Sequence, residues 1–484
     1  MKTIDLYLFL TAFTWIVACA AIAELMWKRR VKFFFPAIVA VSLVVVNTIV
    51  GGHVEPEKTY LDVLRYLIRE RDVSSIFALL MGASAAFTWV YVVWTATIED
   101  DEEGRQPRRW LLLPLAALIV VACGHAFIWK EVTGTTRHAV AVNNAEFTIE
   151  QVAELDDQPL RLAIDDAGAV YVCYDYFKKH GAWGGVVLRY VRDEAGQWQH
   201  RIVIESPILA RCYGLAVREG DLYVSRSGYY PKAELGRVTY ERTGAITQLR
   251  DLDGDGYYEY AHDVVTDLPG VRAPDTMQQN NGMLFGPDGS LYVTNASAAD
   301  RTLDEHPWGG AILKFDPDFS NPQIFAKGFR NPWTITLGPD DSLFATDSDV
   351  DENPGDEINH VLHGEHYGHP FVIPNEQGVE AVGFRAPMFV GERETVFLGM
   401  VYATTEALPE EYRNCLYVTD FRLNRVLRLK LAKEGDSFKV TDVIPFAQVP
   451  SPVDMVMSKD GDFYVISRRA QKLYRIHLKK QADN

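Results

Sequence analysis

The chain has 484 residues, of which 48% are hydrophobic, and a formal net charge of −17. This length allows more than one domain. The acidic excess argues against nucleic acid and anionic lipid as partners, because both are themselves negatively charged. The excess lies after residue 130: residues 1–130 hold 13 basic and 12 acidic residues, which leaves 35 basic and 53 acidic residues for the rest.

Residues 1–130 are predicted to form a domain of four transmembrane helices. Four apolar runs each approach the roughly 20 residues that cross a ~30 Å hydrocarbon core, namely Leu6–Trp27, Phe33–Val50, Ser75–Ala96 and Trp110–Trp129. Basic residues are concentrated in the first and third connecting loops, which the positive-inside rule places in the cytoplasm. We therefore expect a multi-pass protein of the bacterial inner membrane, with its amino terminus in the periplasm and an interfacial amphipathic helix near 56–72.

A linker is predicted at 131–154 and a periplasmic domain at 155–484. In that domain a strand–turn–strand unit occurs six times, beginning near residues 160, 214, 282, 334, 399 and 454. These spacings accommodate a four-stranded blade with a variable loop. The predicted fold class is therefore an all-β six-bladed propeller preceded by an α-helical four-span membrane domain. A double-sheet sandwich is the alternative, although it does not require equivalent hairpins at this period.

Aligning the repeats on their turns places five polar residues at the same point, the start of the first strand of a blade: Gln158, Arg211, Gln279, Asn331 and Ser451. In a propeller this point lies at the mouth of the central channel. Convergent polar groups in a packed fold are typical of a binding site, but they also hold channel water, and both interpretations remain open.

Three segments resemble the glucose/sorbosone dehydrogenase family, six-bladed propellers that bind pyrroloquinoline quinone and calcium: Gly328–Trp333, Gly355–His360 and His366–Pro370. The resemblance implies that Arg330 and Asn331 contact the quinone. A guanidinium fork and an amide suit the carboxylates and carbonyls of such a molecule. Arg211, from the predicted mouth ring, is the third candidate for cofactor binding.

The sequence also departs from the pattern of that family. Gln279 stands where the family has a histidine that takes the proton from the sugar hydroxyl, and an amide has no useful basicity near neutral pH. Ser451 and Val453 stand where the family has two arginines beside the cofactor. The catalytic candidates are therefore Gln279 itself and His306, a loop histidine that either replaces the base or is simply solvated.

A second motif favours calcium. Oxygen-bearing side chains occupy positions 1, 3, 5 and 9 of a loop with glycine at position 6, as in calcium loops: Asp251, Asp253, Asp255 and Glu259. Position 12 is His262, so the bidentate glutamate of an EF-hand is missing, and an acidic β-turn is the alternative. A weaker calcium candidate lies in the segment where the family holds its cofactor-bridging ion: Asp349, Asp351 and Glu352.

Two functions of different classes remain open. The first is a membrane-bound quinoprotein dehydrogenase that oxidises a sugar or alcohol in the periplasm and passes electrons to membrane quinone. The second is a non-catalytic propeller that acts as a binding or assembly subunit of a membrane protein complex. A calcium-dependent hydrolase is a third possibility. Cys173 and Cys212 lie in neighbouring repeats, and whether they pair in an oxidising compartment is open.

Overall fold

The computed structural model describes residues 140–156, 158–175, 185–209, 212–227, 244–270, 280–350, 354–373 and 383–479. The four predicted membrane spans, the interfacial helix near 56–72, Arg211 and Gln279 lie outside these ranges. Within them, no helix is both long enough and apolar enough to cross a membrane. The described residues fall in the second of two compact units of the chain, His138–Asn484.

The described residues form six antiparallel sheets, the blades of a propeller. Two strands come first: β1 (Ala141–Val142) and β2 (Phe147–Glu154). Blade 1 contains β3 (Pro159–Ile164), β4 (Val170–Asp175), β5 (Gly185–Arg192) and β6 (Trp198–Ser206). Blade 2 contains β7 (Cys212–Arg218), β8 (Asp221–Arg226), β9 (Gly244–Arg250) and β10 (Tyr260–Leu268). Blade 3 contains β11 (Asn280–Phe285), β12 (Leu291–Asn295), β13 (Ala311–Phe315) and β14 (Gln323–Lys327).

The remaining blades repeat this order. Blade 4 contains β15 (Pro332–Leu337), β16 (Leu343–Asp347), β17 (Glu357–Val361) and β18 (Phe389–Val390). Blade 5 contains β19 (Phe397–Ala403), β20 (Cys415–Asp420), β21 (Arg425–Glu434) and β22 (Ser437–Gln448). Blade 6 contains β23 (Pro452–Met457), β24 (Phe463–Ser467) and β25 (Lys472–Leu478). Short 3-10 turns occur at Pro207–Leu209, Pro339–Asp341 and Glu410–Tyr412.

The blades close into a ring. Each innermost strand contacts the innermost strand of the next blade, and β23 of blade 6 contacts β3 of blade 1. The amino-terminal strands complete the last two sheets, since β2 pairs with β25 as the outermost strand of blade 6 and β1 pairs with β22 in blade 5. The prediction of a six-bladed all-β propeller is confirmed.

The predicted linker at 131–154 requires a correction, because β1 and β2 both lie within it. The segment Phe147–Glu154 alternates little and carries two glutamates and a glutamine. As the outer edge of its sheet, β2 is buried on one side only, so it lacks the apolar run by which an inner strand is recognised. The propeller therefore begins before residue 155.

Turn chemistry explains why the first two strands of each blade pair where the sequence predicts. In the β11–β12 hairpin, the Ser290 N–H donates to the Asp288 carboxylate at 3.0 Å. Gly289 has φ +81°, a left-handed conformation that glycine adopts without strain. Each such hairpin buries apolar side chains of its strands, as in Leu291 and Val293 of β12, which have no exposed surface.

One end of the ring carries the candidate site, and we call it the mouth face. The innermost strands run in the same direction around the channel, so all begin at this face. Because the strands of a blade are antiparallel, the connections from second to third strand return to the same face. Asn331, Ser451 and the turn after β24 therefore lie on the mouth face, whereas the connection from β9 to β10 lies on the opposite face.

Candidate functional site

The mouth-face ring predicted from the sequence is described at Gln158, Asn331 and Ser451, each just before an innermost strand. Its other members, Arg211 and Gln279, lie outside the described residues. Asn331 is oriented by the buried Asn281, whose Nδ2 donates to Asn331 Oδ1 at 2.9 Å and to Pro332 O at 3.0 Å. Since Oδ1 accepts this bond, the Asn331 amide has its Nδ2 for donation to a ligand.

Arg330 is held at the same edge of blade 4 by carboxylates. The backbone N–H groups of Arg330 and Asn331 donate to the two oxygens of Asp347, at 3.0 and 2.6 Å. The Arg330 Nε donates to Asp300 Oδ1 at 2.8 Å, and its Nη1 donates to Ser348 O at 3.4 Å. Asp347 therefore fixes the backbone of both predicted cofactor-binding residues, and Asp300 fixes the direction of the guanidinium.

Asp347 belongs to a buried acidic cluster that we define as Asp347, Asp349, Asp356 and Glu357, each no more than 9% exposed. Asp347 and Glu357 are directly opposite each other in the β16–β17 pair. Burial, with repulsion from Asp349, raises the pKa of Asp347 to about 7 despite its backbone hydrogen bonds. Burial also raises the pKa of Asp356 and of Glu357 well above the usual range, and neighbouring carboxylates add to the effect. The cluster therefore binds protons near neutral pH.

His369 lies beside Arg330, brought there by the connection between β17 and β18. Its Nε2 is 3.2 Å from Ala299 O, and because a carbonyl only accepts, Nε2 carries the hydrogen. Burial, followed by repulsion from Arg330, lowers the pKa of His369 to about 4. The imidazole is therefore neutral at physiological pH, with the lone pair on Nδ1.

His306, the other catalytic candidate, caps its own turn. Its Nδ1 accepts the N–H of Trp308 at 3.1 Å, and its backbone N–H donates to Asp304 at 2.7 Å. The neighbouring Pro307 O accepts from Lys327 Nζ, which ends the outer strand of blade 3. This loop position gives His306 a structural role that its sequence context did not reveal.

Three of the four predicted calcium ligands converge. Carboxylate oxygens of Asp251, Asp253 and Glu259 lie within 4.8 Å of one another. Asp255 is not in this group, and its carboxylate accepts the Tyr257 N–H at 2.7 Å. The three converging carboxylates also accept backbone N–H groups of the same loop. The loop joins β9 to β10 and so lies on the face opposite the mouth. The weaker calcium candidate is described only at Asp349, since Asp351 and Glu352 lie outside the described residues.

Sequence reasoning missed the floor of the channel below the mouth. Arg161, in β3, is 3% exposed and donates to Tyr213 O and Trp333 O, as well as to Thr334 Oγ1 at 2.9 Å. Its guanidinium lies 4.3 Å from the Trp333 ring centroid. Asp454 of blade 6 completes the floor. A charged residue inside the apolar strand sequence Leu160–Leu162 is the signal that points to Arg161.

Comparison with known proteins agrees with this architecture. The family profile described as Glucose / Sorbosone dehydrogenase matches residues 222–475. No curated protein matches the chain. A putative oxidoreductase (glucose dehydrogenase) of Thermus thermophilus is 20% identical, with a TM-score of 0.52 over 68% of this chain and 100% of its own.

Two further solved structures have the same fold. The PQQ-bound aldose sugar dehydrogenase of Streptomyces coelicolor is 17% identical, with a TM-score of 0.52 over 70% of this chain and 100% of its own. A calcium structure of the family AA12 enzyme of Trichoderma reesei is 15% identical, with a TM-score of 0.53 over 71% of this chain and 98% of its own. Identities this low establish the fold, and function has to be argued from the site.

Proposed function

We propose a function from the premise that this chain belongs to the glucose/sorbosone dehydrogenase family. The proposal is that the sugar-dehydrogenase-like propeller binds a carboxylated quinone of the pyrroloquinoline type at its mouth face, together with a small sugar or alcohol. The observation that carries it is the pair Arg330 and Asn331, whose backbone is fixed by both oxygens of Asp347. The pair thus has a defined orientation before any ligand binds, which lowers the entropic cost of binding.

The donor set on blade 4 fits such a quinone. Arg330 offers a guanidinium and Asn331 an amide N–H, the groups that carboxylates and carbonyls accept from. The acidic cluster lies behind these donors and opposes a nearby anion, but its raised pKa values keep part of it neutral. Two-electron acceptance is the chemistry that the quinone supplies when bound.

The proton of the substrate hydroxyl needs an acceptor of its own. Gln279 cannot serve, because an amide is not basic near neutral pH. His369 is neutral and has its lone pair on Nδ1, but this atom is buried and has no hydrogen-bond partner among the described residues, so proton transfer to it requires that ligand binding makes Nδ1 accessible. With a pKa of about 4 it is a weak base, and we expect turnover to be slow compared with binding.

We also propose a position in the cell, which the apolar runs and the basic loops of the sequence support. The four apolar runs of residues 1–130 anchor the chain in a bacterial inner membrane, with the propeller in the periplasm. Membrane quinone would be the acceptor of the two electrons. Calcium is proposed at Asp251, Asp253 and Glu259, on the face opposite the mouth, where it stabilises the blade 2 hairpin.

A second candidate function is a non-catalytic binding or assembly subunit of a membrane complex. Gln279 favours it, because loss of the base removes turnover while the fold and the mouth remain. This function predicts co-purifying protein subunits and no substrate-dependent dye reduction, whether or not quinone binds.

The test is calorimetric titration of pyrroloquinoline quinone into the detergent-purified chain with calcium present. We expect saturable binding that Arg330→Ala abolishes. Arg192→Ala is the matched control, because Arg192 forms an exposed ion pair with Glu150 on the outer edge of the propeller. An absence of binding to the unsubstituted chain would remove the quinone from the function and leave the binding-subunit alternative.

A further inference from the structure

Blade 6 lacks the two cationic side chains that the family pattern leads us to expect beside the ligand. Ser451 and Val453 occupy those positions and are 1% and 2% exposed. The Ser451 N–H donates to Asn424 Oδ1 at 2.8 Å, so this residue is committed to the junction with blade 5. Neither residue offers positive charge to the mouth.

The structure brings an arginine to the same place from elsewhere in the sequence. The turn between β24 and β25 lies on the mouth face, and Arg468 is its first residue. The Arg468 N–H donates to Ser451 O at 3.0 Å. The preceding Ser467 hydroxyl donates to Pro450 O. Arg468 is thus hydrogen-bonded, through its backbone, to one of the positions where the expected arginine is missing.

The side chain of Arg468 extends across the mouth face toward blade 1. Its Nε donates to Gln158 Oε1 at 3.1 Å, and Gln158 directly precedes the innermost strand β3. This single bond orients the guanidinium at the junction of blades 6 and 1. Because Nε makes the contact, the two terminal NH₂ groups are the donors available to a ligand.

The charge of Arg468 distinguishes it from the other arginines of the site. Arg330 is paired with Asp300 at 2.8 Å, and Arg161 is paired with Asp454 at 3.8 Å. Among the described residues, Arg468 forms no ion pair. It is half-buried, so its charge is only partly screened by solvent. A guanidinium with this placement favours an anion at the mouth face.

We propose that Arg468 binds a carboxylate of the ligand at the mouth face and so replaces the arginines that Ser451 and Val453 leave out. The carboxylate has two sources, the quinone of the proposed function, on which this part of the inference rests, or an acidic sugar. In both cases blade 6 supplies Arg468 and blade 4 supplies Arg330, so a ligand that carries carboxylates at two ends is held across the channel.

The neighbouring Arg469 is a matched control. Its guanidinium lies 5.6 Å from the Phe421 ring centroid, over the top of blade 5, and the residue is exposed. Replacing it removes the same charge from the same turn without touching Gln158. A purely long-range electrostatic effect would therefore change binding equally in both variants.

The experiment titrates two probes, pyrroloquinoline quinone and glucuronate, into the full chain and into Arg468→Ala, Arg468→Lys and Arg469→Ala. We expect at least one probe to bind, with Arg468→Ala weakening it about tenfold or more, Arg468→Lys weakening it less, and Arg469→Ala staying within about twofold. Thermal melts verify that each variant is folded. Gln158→Ala is the second test, because it keeps the charge of Arg468 and removes only the hydrogen bond that orients its guanidinium. We expect this variant to lose less affinity than Arg468→Ala.

The outcomes separate this inference from the proposed function. If only glucuronate binds, and Arg468→Ala weakens its binding, the inference about Arg468 is kept and the quinone is refuted as the ligand. Binding of the quinone with equal affinities for Arg468→Ala and Arg469→Ala keeps the proposed function and overturns the inference. If neither probe binds the unsubstituted chain, both are overturned.

Discussion

Arg161 and Asp454 form an ion pair that joins blade 1 to blade 6 inside the channel. Nη1 of Arg161 lies 3.8 Å from Oδ1 of Asp454, and the two side chains are 4% and 7% exposed. The other carboxylate oxygen accepts the Leu162 N–H at 2.8 Å. Since Arg161 also bonds to Tyr213 of blade 2 and to Trp333 of blade 4, one side chain connects the innermost strands of four blades.

Asp454→Asn should destabilise the propeller strongly. The substitution leaves the Arg161 guanidinium buried without a counter-charge, and breaking a buried pair in this way costs about 3–5 kcal/mol. Burial lowers the pKa of Arg161 and raises that of Asp454, so both groups bear a desolvation penalty. Their mutual attraction offsets part of it, and for Asp454 the N–H groups of Leu162 and Met455 offset a further part. The measurement is urea unfolding of the purified chain, followed by near-UV circular dichroism.

The control for this prediction is Asp166→Asn. Asp166 pairs with Lys459 at 2.7 Å and so also joins blades 1 and 6, but the two side chains are 94% and 75% exposed. We expect the midpoint of this variant to match that of the unsubstituted chain. Equal midpoints for both variants would mean that the buried pair does not hold the ring.

The acidic cluster predicts a pH dependence of stability. With a folded pKa of about 7 for Asp347, against about 3.9 in the unfolded chain, the folded state binds more protons between these values. The free energy of unfolding should therefore fall as the pH rises from about 4 to 7. Glu357→Gln removes one ionisable member of the cluster. We therefore expect the melting temperatures at pH 5 and pH 7.5 to differ less in this variant than in the unsubstituted chain, when both are measured with a metal chelator present.

His369 acts in the opposite sense below about pH 6.5, because burial lowers its pKa to about 4 and the unfolded chain takes up the proton first. This contribution is common to the unsubstituted chain and to Glu357→Gln, so the comparison isolates the carboxylates. Glu410→Gln, at an exposed position in blade 5, should keep the original pH dependence. A Glu357→Gln variant with the same dependence as that control would contradict the prediction.

The sequence predicted the propeller because its signals are local. Five of the six blades begin with a hairpin whose turn residues and strands lie within 15–17 residues, as in the pair β11 and β12 with its Gly289 turn. Arg330 and Asn331 were predicted for a related reason, since a contiguous motif carries the resemblance. The closing strand β2 was missed because an outer strand exposes one face and so has no apolar run.

The contacts of Arg161 in the channel and of Arg468 in blade 6 were not predictable in the same way. Arg161 bonds to Tyr213 and Trp333, which are 52 and 172 residues away in the sequence. Arg468 bonds to Gln158, which is 310 residues away in the sequence. Neither arginine belongs to a motif, and only ring closure brings its partners together. The presence of Arg161 in the apolar strand sequence Leu160–Leu162 shows that its charge requires a partner. The residue type does not identify that partner.

The described cysteines are predicted to be thiols. Cys173 Sγ donates to Cys212 O at 3.4 Å, whereas Cys212 Sγ donates to Gly214 O at 3.6 Å. Both residues and Cys415 are buried and carry thiols. N-ethylmaleimide should therefore leave all three unlabelled in the folded chain and label all three after denaturation without reductant, as read by peptide mass spectrometry. Protection of Cys173 and Cys212 alone after denaturation would show that they are paired.

Calcium should stabilise the propeller from the face opposite the mouth. The carboxylate oxygens of Asp251, Asp253 and Glu259 repel one another within 4.8 Å, and an oxygen-preferring cation relieves this repulsion. A ligand at 100 times its Kd adds about 2.7 kcal/mol to the free energy of unfolding. We expect millimolar calcium to raise the melting temperature of the unsubstituted chain.

Glu259→Gln should abolish this increase, because it removes one of the three converging carboxylates. Asp318→Asn, a change in another exposed acidic turn, should retain it. Because the loop and the mouth lie at opposite ends of the blades, Glu259→Gln should leave the calorimetric affinity for quinone unchanged. An equal calcium shift in both variants would refute the site, and a loss of quinone affinity in Glu259→Gln would show that this loop influences the mouth.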